Sequence, residues 1–240
     1  MNLVEIKSLQ FNTYLRNAGE IASPVFYLPQ NIQNISSLKL KSLSIPLSIF
    51  TFDSRNNTGI LSDLGTTNFN LTITPGNYNG TTLATELSRI LNLTALHTFT
   101  VTYNLASNNL SITSTGTFNF IQGNLNNFYA ELGITINTVL ATTYTTSSIN
   151  LLGIQQLNIG SNIGAQDIVN SKFKLVGSVP IEEANSTLST FFDNSNDYIN
   201  YEIPNLTEIS FQLYDSRFRP ITMNQDFVIT LNFQLGGSYS

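Results

Sequence analysis

The sequence predicts an all-β fold of the sandwich or jelly-roll kind, on three observations. Apolar and polar residues alternate with a period of two in many short runs, turn-forming residues punctuate the chain between those runs, and a single segment carries a convincing helical period. No similarity recurs at a fixed spacing, which excludes a solenoid or propeller. A sandwich or barrel often reaches 240 residues as one domain, so one domain is expected.

Strand patterns come first in the chain. Leu3 to Lys7 and Val25 to Leu28 read as short strands, the second between Pro24 and Pro29. In Ser37 to Phe50 the alternation of Leu38 and Leu40 changes register before Leu43, Ile45, Leu47 and Ile49, which predicts a bulge, and Pro46 predicts an edge or an irregularity. Thr51 to Thr67 is dominated by turn formers and reads as an exposed loop.

Phe69 to Asn92 is the strongest local signal. Phe69, Leu71 and Ile73 alternate with polar residues, Pro75-Gly76 stops the strand, and Leu83, Leu87, Ile90 and Leu91 then line one face of a helix over 81–92. Thr81 or Thr82 is the expected N-cap. Glu86 and Arg89 fall on or beside the polar side.

Phe99 to Tyr103 and Leu110 to Ile112 predict a hairpin, Phe118 and Phe120 a third strand, and Asn126 to Leu132 one or two helical turns stopped by Gly133. Thr135 to Ser148 is weakly patterned and reads as loop or poor strand. Leu151 to Ile159 and Phe173 to Leu175 are strand-like, and Asn185 to Asn196 is a polar, flexible connection. Tyr198 to Ile203, Ile209 to Leu213 and Phe227 to Phe233 alternate cleanly, as strands with one wet and one buried face do.

Charge is scarce. Asp, Glu, Lys and Arg make up 10% of residues, against about 25% in an average protein. Asn, Ser and Thr replace them, and Glu131 is the only charged residue between Arg89 and Asp167. Such a surface has little to lose from added salt. The net charge of -5 argues against nucleic-acid binding through phosphates, and Lys39 and Lys41 are an isolated pair. No apolar run is long enough for a membrane span, and the charge inside MNLVEIKSLQF does not suit a signal peptide. A soluble, non-secreted chain is expected. Zero cysteines remove disulfides, thiolate nucleophiles and cysteine metal sites. Sequons at Asn34, Asn79 and Asn205 are expected by chance in this composition.

Few residues suit chemistry, and each has a simpler role. His97 is the only histidine, so a Ser-His-Asp relay or a histidine metal site would need it, yet no G-x-S-x-G elbow is present and a structural or surface role is preferred. Gly76 to Thr82 resembles an anion-binding loop at a helix N-terminus but lacks the P-loop lysine, so a tight turn is preferred. Asp193, Ser195 and Asp197 place oxygens at alternate positions that suit calcium, but no glycine follows and no bidentate Glu stands at the needed distance. A solvated loop is preferred there. Glu182-Glu183 reads as a solvated pair, and Phe69, Phe99, Tyr103, Phe118, Phe120, Phe128 and Tyr129 mostly as core. No catalytic, cofactor or metal residue is assigned.

Three places resemble the penton, or vertex, capsid proteins of virophages, polinton-like elements and large double-stranded DNA viruses. They are Ile73-Thr-Pro-Gly76-Asn-Tyr78 with the helix after it; Phe99-Thr-Val101, the Asn-rich turn, Leu110-Ser-Ile112 and Leu132-Gly133-Ile134; and Leu213-Tyr-Asp215, Arg219-Pro220 and Asn224-Gln-Asp226-Phe227. The resemblance implies a single jelly-roll β-sandwich over 1–240, with a strand-helix-hairpin excursion at about 64–133. It also implies a non-enzymatic capsid protein, a homopentamer at the vertex of an icosahedral virion. The implied partners are its own copies, the major capsid protein and other capsid proteins, with no cofactor, nucleic acid or membrane span. Assembly inside the host cell is expected, with Met1 to Leu28 as an arm beneath the shell. The alternatives are a small trimeric major capsid protein, a glycan- or receptor-binding β-sandwich, and a hydrolase built on His97.

Overall fold

A computed structural model describes residues 5–46, 49–123, 126–136, 139–164, 166–168, 171–181 and 188–236. It is mostly antiparallel sheet, in two compact units, Met1–Ile49 with Ile154–Ser240 and Phe50–Gly153. The expected excursion at about 64–133 lies wholly within the second unit.

The first unit is organised by two long strands. β1 (Glu5–Asn12) and β2 (Ala18–Glu20) precede β3 (Ser23–Pro46), a single strand where the sequence predicted two. The reason is that Pro29 interrupts neither partner: β13 pairs with β3 on both sides of it, at Val25–Tyr27 and Ile32–Leu38. β9 (Gln156–Ser161), β10 (Gln166–Asp167), β11 (Lys174–Pro180), β12 (Leu188–Phe192), β13 (Ile199–Tyr214) and β14 (Val228–Leu235) complete it. β13 is likewise one strand and not two, with register shifts between Asn200 and Ile203 and between Leu206 and Glu208 absorbing the break in alternation. The bulge expected between Leu40 and Leu43 is present, because Leu231 opposes Leu40 while Thr230 opposes Ser42. Pro46 ends β3 and does not interrupt it.

The sheet order is β1-β14-β3-β13-β9-β11-β10, with β2 and β12 also on β3. β13 pairs with β3 up to Ser210 and with β9 from Phe211 onward, so it carries the chain from one set of strands to the other. Both sets feed one core, where Phe11, Phe26 and Phe211 pack with ring centroids 5.2–6.1 Å apart. The expected arm at Met1 to Leu28 is therefore corrected for its described part. Residues 5–12 form a sheet strand on β14, and Phe11 and Phe26 are buried in the core, which apolar alternation of this kind demands. The connection at Asn185 to Asn196 is corrected too, since β12 lies inside it. Ser189 and Phe191 turn toward the core side and give this short polar strand its anchor. Glu182-Glu183 lie outside the described residues.

The second unit is a five-stranded sheet with a helix against it. β4 (Thr58–Asp63), β5 (Thr67–Thr72), β6 (Phe99–Asn104) and β7 (Asn109–Ile121) run in the order β5-β4-β7-β6, and β8 (Ala141–Thr145) pairs with β7. Phe118 and Phe120 extend β7 and do not start a strand of their own. α1 (Gly80–Thr94) buries Leu83, Leu87, Ile90 and Leu91, the expected face, against β5, β6 and β7. α2 (Tyr129–Leu132) is the short helix stopped by Gly133, which sits in the left-handed region at φ 61°.

One expectation fails here. Thr51 to Thr67 is not an exposed loop, since β4 is an inner strand and Asn56, Asn57 and Asp63 are buried before and within it. Asn56 donates to Thr51 O at 2.9 Å, Asn57 donates to Ile73 O at 3.0 Å, and Asp53 holds Arg55 through a two-pronged ion pair. Buried polar groups are tolerated when every one finds a partner, so a polar sequence forms an interior segment. β8 lies within the Thr-rich stretch read as loop or poor strand, its Tyr144 packed on Phe120 at 5.5 Å.

Candidate functional site

Each sequence-level candidate has a definite place. The loop after β12 carries Asp193, Ser195 and Asp197, and it folds onto two lysines of β3. Lys39, 3% exposed, donates to Ser195 O and lies 3.2 Å from Asp193 Oδ2, with the Tyr198 ring 5.8 Å away. Lys41 donates to Asp193 O and to Asn194 Oδ1, both at 3.0 Å. The Ser195 N–H, aided by Lys39, holds the Asp193 carboxyl below its usual range. The Asp193 and Ser195 oxygens that suggested calcium thus face the Lys39 ammonium, and no cluster of three metal-ligating acids or histidines occurs among the described residues. Sequence reasoning missed this because Lys39 and Lys41 stand about 150 positions from the loop, as the partners' separations of 152 and 156 record.

His97 is brought to a fully buried carboxylate. Its Nδ1 lies 2.8 Å from Asp63 Oδ1, and Asp63 Oδ2 accepts the Leu96 N–H at 2.9 Å. The ring lies over Gly116, where an added Cβ would meet its Nε2 at 2.3 Å. One end of the imidazole is committed to Asp63 and one face to the backbone, an arrangement that ties the α1–β6 link to β4. This is structural work for the histidine.

The turn before α1 is closed by its own side chains. Asn79 is the N-cap, in place of the expected Thr81 or Thr82. It accepts from the Thr82 N–H at 2.9 Å, while its own N–H donates to Thr82 Oγ1 at 3.0 Å. The helix begins one turn position earlier than the sequence suggested because Gly80 lets the chain approach Tyr103, whose ring a Cβ would overlap at 2.4 Å. The glycine serves packing, and no lysine stands ready for an anion.

On the exposed side of α1, Arg89 grips Glu86 with two bonds of 2.6 Å and the Thr74 N–H donates to Glu86 Oε1 at 2.9 Å. Arg89 chiefly, with Thr74, holds the Glu86 carboxyl down to about 2, from 4.5. A folded-state value below the unfolded one stabilises the fold above the unfolded value, and that stability is lost as pH falls toward the folded value. Glu86→Gln is therefore expected to lower the melting temperature at neutral pH, and the difference from wild type should shrink between pH 4.5 and about 2. Equal melting curves at pH 7 would show that the pair contributes nothing.

What remains exposed is sheet edge and apolar side chain. Ile6, Leu188 and Phe192 stand on the outer strands of the first unit, 55%, 60% and 67% exposed. The cleft beside Ile35 and Ile203 holds a single ionisable side chain among the described residues, Glu202.

Fold and surface together place the chain among all-β sandwich proteins of the jelly-roll class. Its fold is that of the mavirus penton protein, whose crystal structure matches 97% of this chain and 99% of that one, with a TM-score of 0.51 and 13% identity. No protein-family model matches the sequence, and no curated protein matches it. No helix is long and apolar enough to cross a membrane among the described residues.

Proposed function

We propose that this chain is a structural capsid protein that forms the pentameric vertex of an icosahedral virion. The observation that carries the reading is the fold likeness to a penton protein along nearly the whole of both chains. The motifs around Pro75-Gly76, Leu132-Gly133 and Arg219-Pro220 point the same way from the sequence. In this reading residues 1–240 act as one protomer, with the helix-bearing unit as its excursion. The partners are further copies of the chain, the major capsid protein and other capsid proteins, and assembly takes place inside the host cell. The role needs no catalysis: His97 supports the fold through Asp63, and Lys39 of β3 pairs with Asp193 of the 193–198 loop. A surface of amides and hydroxyls supplies contacts that salt does not screen.

Light scattering of the purified protein should give five times the 26.5 kDa protomer mass, and negative-stain micrographs should show rings. Three times that mass would favour a trimeric major capsid protein instead. A monomer at every concentration would overturn both.

A further inference from the structure

We propose that neighbouring copies join by antiparallel pairing of β1 of one protomer with β12 of the next, extending the sheet across the contact. The proposal rests on the ring reading above and names the surface that would build the ring.

β1 and β12 are opposite edges of the same strand layer. Ser42–Ser44 of β3 pair with β12 on one side and with Val228–Thr230 of β14 on the other, and those residues of β14 pair in turn with Gln10–Asn12 of β1. The layer therefore reads β12-β3-β14-β1, with every neighbour antiparallel. Among the described residues no strand pairs with the outer side of β1 or of β12.

The hydrogen-bond phase shows which groups these edges offer. The Thr13 N–H donates to Phe227 O, one step beyond the pair of Asn12 with Val228. Carried back along the unbroken register, the alternation points Lys7, Leu9 and Phe11 at β14 and leaves the N–H and C=O of Ile6, Ser8 and Gln10 on the open side. On β12 the Asp193 N–H donates to Lys41 O, so Ser189 and Phe191 bond to β3 while Leu188, Thr190 and Phe192 present their backbone groups outward.

The side chains agree with the backbone. Phe11 on β1 and Ser189 and Phe191 on β12 face the core side, which puts Ile6, Ser8 and Gln10 together with Leu188, Thr190 and Phe192 on the outer face of one layer. Ile6, Leu188 and Phe192 are more than half exposed there. Pairing Ile6 with Phe192, Ser8 with Thr190 and Gln10 with Leu188 makes three hydrogen-bonded pairs, about two backbone bonds each. It also sets Ile6 against Phe192 and two hydroxyls against each other, both favourable cross-strand pairs. β12 has no charge, proline or bulge to blunt its edge; β1 has an unbroken register and no proline, and its two charges, Glu5 and Lys7, alternate with Ile6, Ser8 and Gln10 and so lie off the outer face that would pair. Two different edges on one protomer give a heterologous contact, the kind that closes into a ring; β1 on β1 would stop at a dimer.

Proline tests the contact without touching the ladder inside the protomer, since the N–H groups of Ser8 and Thr190 point outward. Ser8→Pro and Thr190→Pro are each expected to be monomeric, raising the concentration for half-assembly by about tenfold or more. Mixed in equal amounts they should form a heterodimer, because one keeps an open β12 and the other an open β1. Circular dichroism melts check that each is folded; if a proline variant is not, Ile6→Asp and Phe192→Lys, on exposed positions, replace it. Each charge variant alone should be monomeric, and the two changes in one chain should restore the wild-type mass. Folded variants that keep the wild-type mass, or single variants that form dimers, would overturn the edge contact while leaving a five-subunit wild type in place. A wild type of another order whose variants fall to monomers would overturn the vertex reading and sustain the contact. A wild type that is always monomeric would overturn both.

Discussion

Leu87→Asp will prevent the helix-bearing unit from folding. Leu87 is 1% exposed on the inner face of α1, beside Leu83, Ile90 and Leu91, and this face is the helix's apolar attachment to β5, β6 and β7. An aspartate there loses the leucine's apolar burial and either buries a carboxylate with no cation or takes up a proton in an apolar site. The cost is about 4 kcal/mol or more, a large part of a domain's total stability. The expected result is insoluble protein or loss of the cooperative melting transition, measured by circular dichroism. Thr85→Asp, on the exposed side of the same helix, is the control and should melt near wild type. A normally folded Leu87→Asp protein would mean that α1 is not held by this face.

Lys39→Ala will release the loop at 193–198. The Lys39 ammonium is buried under that loop, bonded to Ser195 O and paired with Asp193, and removing it strands both oxygens. Loss of one partner of a buried pair costs about 3–5 kcal/mol. The lower end is expected, because Asp193 is 27% exposed and water can reach it. Hydrogen exchange gives a local readout: the Ser195 and Asp197 N–H groups, which donate to Asp193 Oδ1 and Ser195 Oγ, should lose protection before the strand that follows, β13. Lys41→Ala should have a smaller effect, since Lys41 holds the loop from a more exposed position. Unchanged exchange in Lys39→Ala would show that the loop holds itself.

Where a segment buries apolar side chains on one face, its sequence is enough to read it. The helical face of α1, the hairpin of β6 and β7, the bulge near Leu40 and the alternation of β14 were all visible, because apolar spacing reports directly which side of an element meets a core. Segments whose burial is polar were not. Thr51 to Thr67 reads as an exposed loop, yet Asn56, Asn57 and Asp63 lie inside, held by Thr51 O, Ile73 O, His97 and the Leu96 N–H. Pattern carries no record of such partners. The candidate sites followed the same division: the absence of a P-loop lysine or a nucleophile elbow was plain from the residues, whereas the lysines facing Asp193 and the carboxylate facing His97 came from distant strands.

By itself the sequence determined an all-β chain with one helix, a surface of amides and hydroxyls, and a motif order that resembles that of penton proteins, because spacing and composition are local properties. Only the tertiary structure decided that β3 and β13 are single long strands, that the 193–198 loop closes on Lys39, and that β1 and β12 are opposite open edges of one layer. Those facts depend on which strands meet across the sheet, and strand pairing joins residues as far apart as Glu5 and Leu235. The physical reason is that a backbone ladder is almost blind to side-chain identity, so the partner of an edge is set by the fold around it.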